Sequence, residues 1–107
     1  MSYDVWMEAN LGGPSPYTID PGINHTSNTS GMWREAGCDL GEMHGSLGEE
    51  CIPPLEKAIA ALTANPNHYR RHEPDNKWGT VETTIDFLSK ILAMCKRTPL
   101  ATLVVSR

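Results

Sequence analysis

Apolar and polar residues alternate near the start of the chain, with Tyr3, Val5, Met7 and Ala9 on one parity and Asp4, Trp6 and Glu8 on the other. A period of two predicts a half-buried strand over residues 3–9, with one odd member, Trp6, on the polar side. Gly12-Gly13-Pro14-Ser15-Pro16 breaks the pattern, and Tyr17-Thr18-Ile19 reads as a second short strand. Asp20-Pro21-Gly22 suits a type II turn, in which proline fixes φ and glycine supplies a positive φ. A polar stretch, residues 24–30, follows it.

The period then changes. Met32 to Ala36 reads as a short helix, with Thr29 or Ser30 as its N-cap and Gly37 as its left-handed stop. Three glycines between residues 38 and 51 predict a loop broken by one turn, for which Ser46-Leu47-Gly48-Glu49 has capping-box spacing. Pro54 suits the first position of a helix running to Ala64, with Leu55, Ile59 and Leu62 on one stripe. Asn65-Pro66 ends it and starts a further turn through His68-Tyr69-Arg70-Arg71. The clearest periodicity is Val81, Ile85, Leu88, Leu92 and Cys95, at alternating spacings of four and three, with Ile91 widening the stripe. Thr80 is its expected cap, Glu82 and Lys96-Arg97 complement the two ends of its dipole, and Thr98-Pro99 stops it. Residues 100–106 are apolar and β-branched and read as a final strand.

The order β-β-α-α-α-β predicts a single α+β domain over residues 1–107. Its expected form is a three-stranded antiparallel sheet in the order 2-1-3 with the helices packed on one face. The expected core is Val5, Met7, Ile19, Trp33, Leu55, Ile59, Leu62, Val81, Ile85, Leu88, Leu92, Leu103 and Val105. Strand parity leaves Trp6, Thr102 and Val104 together on the outer face. We expect that face to be an interface, either with a second copy in a two-fold homodimer or with a host or phage protein.

Composition narrows the function classes. The chain has 107 residues, nine Lys+Arg against thirteen Asp+Glu, and a formal net charge of −4. No apolar run approaches the roughly 18 residues of a membrane span, so no membrane is expected. Without a basic stripe, duplex nucleic acid is not expected as a partner either. The first residues lack the basic segment and apolar core of a signal peptide, which predicts a cytoplasmic protein. Its three cysteines then read as free, partly buried thiols, and the sequons at Asn24 and Asn28 carry no glycan.

Several segments together resemble a known group: Tyr3-Asp4-Val5, Gly12-Gly13-Pro14, Thr26-Ser27-Asn28, Met32-Trp33-Arg34-Glu35-Ala36-Gly37 and Trp78-Gly79. In these the chain resembles small uncharacterised proteins of actinobacterial phages (mycobacteriophage-type) and their hosts. The resemblance implies a phage-encoded accessory protein working in the host cytoplasm. It implies no activity and transfers no site residues.

Candidate chemistry is sparse. Asn24, Thr26, Asn28 and Ser30 lie ahead of a predicted helix and, with Trp33 for stacking and Arg34 for charge, could hold an anion. The same residue types are ordinary caps and turn formers, which is the stronger reading. Cys38, His44 and Cys51 are a weaker alternative as zinc ligands, since no CxxC, HxH or HExxH pair supports them. His68 to His72 is the densest basic cluster, offset at once by Glu73 and Asp75, and reads as a solvated turn with Tyr69 beneath it. Trp78-Gly79 is expected to anchor the loop entering the last helix, with the indole N–H bonded to backbone. No GxSxG, GxGxxG or P-loop pattern occurs, and no cofactor is expected. The expected function is a non-enzymatic interaction protein. Its alternative is a small-molecule-binding or metal-dependent enzyme using residues 24–34 and 38–51.

Overall fold

A computed structural model describes residues 2–107 of the chain. Three strands, β1 (Ser2–Ala9), β2 (Tyr17–Thr26) and β3 (Thr102–Ser106), form an antiparallel sheet in the order β2-β1-β3. Five helices cover one face: α1 (Ser30–Ala36), α2 (Leu40–Met43), α3 (Gly48–Ala64), α4 (Pro66–Tyr69) and α5 (Val81–Arg97). Short 3-10 turns at Ser27–Thr29 and Arg70–His72 complete the α+β fold. Helix α5 lies against β2 and β1, α3 packs on α5, α1 on α3, and α2 on β3.

Strand parity decides the core as expected. Tyr3, Val5, Met7 and Leu103 are buried under the helices, whereas Asp4 on the other face is exposed. The stripe of α5 is broader than its four-three spacing suggests, because Phe87 and Met94 are buried beside Leu88, Ile91 and Cys95. Ile59, Ile85, Leu92 and Val105, expected in the core, pack half-buried against it. Met32, Leu40, Met43 and Tyr69 join it from short elements that have too few turns to show a period.

Three sequence expectations are corrected. First, Ile19 is 42% exposed. All of residues 10–19 are exposed, so no helix covers the β1–β2 hairpin at that end. Second, Asp20-Pro21-Gly22 does not end the second strand. It is a bulged stretch inside β2, which spends six residue steps from Tyr17 to Ile23 against four steps of β1 from Ala9 to Val5. Two extra residues are an even number, so Ile23 and His25 return to the parity of Val5 and Tyr3. Pro21 is tolerated because β2 is an edge strand, where a missing N–H costs no ladder bond. Gly22 is required: at φ +83°, a Cβ there would stand 1.9 Å from the Val5 carbonyl oxygen and 2.7 Å from the Trp6 Cβ.

Third, α3 starts six residues before Pro54 and runs through both prolines. Its N-terminus is satisfied from far along the chain, with Gly48 N donating to Ala101 O (2.8 Å) and Glu49 N to Pro99 O (2.9 Å). Glu50 Oε1 accepts from the Leu47 N–H at 2.9 Å, one half of a capping box. The prolines deprive the Glu49 and Glu50 carbonyls of their helical donors, and both residues are exposed, where water serves instead. The outer edge of β3 is closed by residues 44–47: Leu103 N donates to Ser46 O (2.9 Å) and Val105 N to His44 Nδ1 (3.0 Å).

Candidate functional site

The second half of β2 brings the polar stretch to one end of the sheet, where Ser2 pairs with Thr26 and Asp4 with Asn24. Thr26 Oγ1 accepts from the Asn28 N–H at 3.2 Å and so caps the 3-10 turn. Neither Thr29 nor Ser30 caps α1 as expected. Thr29 makes no side-chain cap bond and is buried, with its hydroxyl 2.9 Å from that of Thr84 and 3.1 Å from His25 Nε2. Ser30 is the first residue of α1 and half-buried.

Opposite this end lies the loop entering α5. Trp78 N donates to Asn76 Oδ1 (3.0 Å), and Trp78 O accepts from Asn28 Nδ2 (3.4 Å). Gly79, at φ +109°, brings the loop in close, since a Cβ there would meet Thr29 Cγ2 at 2.8 Å and Thr26 Cγ2 at 2.9 Å. The backbone thus anchors this loop. The Trp78 indole, expected to do so, is 70% exposed. Between loop and strand is a cleft of about 670 Å³, lined by Ser2, Asn24, His25, Thr26, Asn28, Asn76 and Trp78.

Chemistry assigns the orientation of all three cleft amides. Asn24 Nδ2 donates to Asp4 Oδ1 (2.8 Å) and to Tyr3 O (3.3 Å), and Asn28 Nδ2 donates to a carbonyl, so both amides have their oxygens left over. Asn76 accepts through Oδ1 and has its NH₂ left over. Among the described residues no Lys or Arg lines the cleft, although Lys77 stands between Asn76 and Trp78 in the chain. His25 faces it from the core side, its ring stacked on Phe87 at 4.7 Å. Burial pushes its pKa down, partly opposed by Asp86, so the imidazole is held neutral.

Of the sequence candidates, Asn24, Thr26 and Asn28 come together here, and Ser30, Trp33 and Arg34 do not line the cleft. Trp33 is fully buried, edge-on to Tyr3 at 5.1 Å and beside Phe87, and its ring is closed to any ligand. Its Nε1 is a buried donor without a partner. Arg34 is exposed on α1. Sequence reasoning missed Ser2, Asn76 and Trp78 as site residues, having given Trp78 only the role of loop anchor.

The weaker zinc set does not converge. Cys38 Sγ lies 3.5 Å from Met43 Sδ in the core, His44 is exposed and bonded to β3, and Cys51 is buried beside Cys95. Among the described residues no group of three or more His, Cys, Asp and Glu is placed to hold a metal. The basic cluster is neutralised within the fold. Arg70 bonds Glu82 (2.8 Å) and Glu73 (3.1 Å), while Arg71, His68 and His72 all meet Glu35.

Trp6, Thr102 and Val104 share the outer sheet face, with Trp6 directly opposite Val104. All three are half-buried, and Trp6 Nε1 donates to Glu8 Oε2 at 2.6 Å. The most exposed large aliphatic side chains lie elsewhere, Leu11 (69%) and Leu100 (74%), flanking a groove at the other end of the sheet.

Fold and site together define an α+β protein with a polar, ligand-sized cleft at one sheet end and an apolar groove at the other. Comparison of the chain with protein-family models, with curated proteins and with solved structures gives no match.

Proposed function

We propose that this protein is a non-enzymatic binding protein whose working surface is the cleft between β2 and the Trp78 loop. The observation that carries this reading is the convergence of three amides, each fixed at one end by the fold and free at the other, beside an exposed indole. Preorganised amides of this kind bind with little loss of side-chain entropy. Binding fits better than catalysis, because the cleft's one described imidazole spends its Nε2 on the hydroxyl of Thr29, which is itself fully buried and out of a ligand's reach. The described lining residues carry no cationic side chain held charged, which favours an uncharged ligand. Following the sequence resemblance, we place this activity in a phage-encoded accessory protein of the host cytoplasm.

The test is a fragment screen followed by ¹⁵N NMR. Uncharged hydrogen-bonding fragments should shift the Asn24, Asn28 and Asn76 side-chain amides and the Trp78 indole together. Hits that map consistently away from these four residues overturn the reading.

A second reading has its own observation. Leu11 and Leu100 project beside a concave groove that also contains Ile19, Pro99 and Ala101. One patch carrying both knob and hollow is what a two-fold contact between copies requires. On this reading a homodimer would form through the hairpin end, as an alternative to the Trp6 face. Light scattering that reads a dimer for the wild type and a monomer for Leu11→Asp supports it, and a monomeric wild type removes it.

A further inference from the structure

We infer that the cleft takes a neutral saccharide, with a sugar ring face laid on the Trp78 indole and its hydroxyls on the three asparagines. The inference rests on the binding reading above and deepens it.

Three features choose this ligand class. The first is hydrogen-bond polarity. Asn24 and Asn28 present carbonyl oxygens; both N–H groups of the Asn24 amide and one of the Asn28 amide are engaged, and the Asp4 carboxylate accepts from Asn24. Donors come from the Asn76 NH₂ and the hydroxyls of Thr26 and Ser2. The cleft therefore favours a ligand whose groups both donate and accept, as hydroxyls do, over one with a fixed donor–acceptor edge. The second is charge. The described lining residues include no Lys or Arg and the chain carries a net charge of −4, so the cleft walls they form give a phosphate or carboxylate no charged partner. The basic cluster Arg70-Arg71 is spent on Glu82, Glu73 and Glu35, and Lys77, exposed between Asn76 and Trp78, is not among the lining residues. The third is the platform. Trp78 is 70% exposed while its own backbone is pinned on both sides by Asn28 and Asn76. An uncovered indole on an anchored backbone, beside amide groups, offers an apolar face that matches the C–H face of a pyranose ring. The volume, about 670 Å³, falls in the range of small-ligand sites.

The experiment uses the full chain against an array of neutral mono- and oligosaccharides, with hits titrated in solution by ¹⁵N NMR. Parallel titrations use unphosphorylated nucleosides and inorganic phosphate. The expected result is saturable one-to-one binding of at least one neutral saccharide, moving the Trp78 indole and the three asparagine amides. Trp78→Ala should weaken that binding about tenfold or more, and Trp78→Phe should retain most of it. Both variants alter an exposed side chain, and circular dichroism checks that they are folded. Nucleosides that move the cleft while no saccharide does would overturn the ligand class and leave the binding reading standing. Phosphate moving the cleft would overturn the charge argument and the class with it. If no probe moves the Trp78 loop or the amides, both the class and the underlying reading fall.

Discussion

Gly22→Ala tests whether the bulge in β2 is what delivers Asn24 and Thr26 to the cleft. Two penalties add at this position. A residue with a Cβ at φ +83° sits in the left-handed region, at a cost of about 1–2 kcal/mol. The new methyl would also stand 1.9 Å from the Val5 carbonyl oxygen and 2.8 Å from the Trp6 Cα, both backbone atoms of the central strand. Neither can rotate away, so β2 must lift from β1 and forfeit ladder bonds on either side of the bulge. Two or three such bonds, at about 1 kcal/mol each, bring the total to about 3–5 kcal/mol. That is a large share of the 5–15 kcal/mol typical of a small domain. Gly12→Ala is the matched control, since Gly12 has φ +88° with nothing within 4 Å of its would-be Cβ, and it should cost only the backbone term. Urea denaturation, followed by circular dichroism with equal m-values, reads both. If the two variants lose the same stability within error, the Val5–Gly22 packing does not hold the strand and the reasoning fails.

The remaining predictions concern the cap, the buried histidine and the thiols. Thr26→Ala should lose about 1 kcal/mol, the usual worth of a cap, and Ser30→Ala little, because only Thr26 caps a turn; equal losses in chemical denaturation would contradict this. His25 has a pKa below its ordinary value in the fold, so the unfolded chain takes up its proton first. Stability from this group is therefore present above about pH 6.5 and lost as pH falls towards the folded value. Thermal melts between pH 7.5 and 5 should show that loss in the wild type and a flatter profile in His25→Gln, and parallel profiles would refute it. Burial pushes the Cys38 thiol up to about 12, and the bond to Cys51 together with burial holds Cys95 protonated well above neutral pH. The bond to Cys95 shifts Cys51 the other way, downward, but all three thiols are buried, so a thiol reagent should label no cysteine at pH 8 until denaturant is added, and rapid labelling of native protein would refute the burial.

Elements with a long period were legible in the sequence. Helix α5 was readable from Thr80 to Arg97 because seventeen residues repeat the same face, and its cap and charged ends agree with that period. The alternation of β1 was enough to name Tyr3, Val5 and Met7 as inward-facing, and with β3 it set the sheet order. In the candidate site, Asn24, Thr26 and Asn28 were visible as a run of short polar side chains, although the sequence favoured them as caps and turn formers, the role Thr26 does fill.

What the tertiary structure decided depends on partners distant in the chain. The early start of α3 comes from the Pro99 and Ala101 carbonyls, some fifty residues away, which accept its first N–H groups. Asp20-Pro21-Gly22 reads locally as a turn, and only the presence of β1 opposite makes it a bulge that restores parity for Ile23 and His25. Trp33 takes its expected place in the core and so loses its alternative role as a stacking face, whereas Trp78, expected to anchor its loop through the indole, is exposed, because burial is decided by what covers a residue. Tyr3, His25 and Phe87 close over the first, and only asparagines hold the backbone of the second. The cleft is a product of the same rule. Its two halves, separated by about fifty residues, meet because Gly79 has no side chain to keep the Trp78 loop away from Thr26 and Thr29. Local pattern determines where the chain turns and which face is apolar; contact between remote segments determines which polar groups are used up inside the fold and which are left for a ligand.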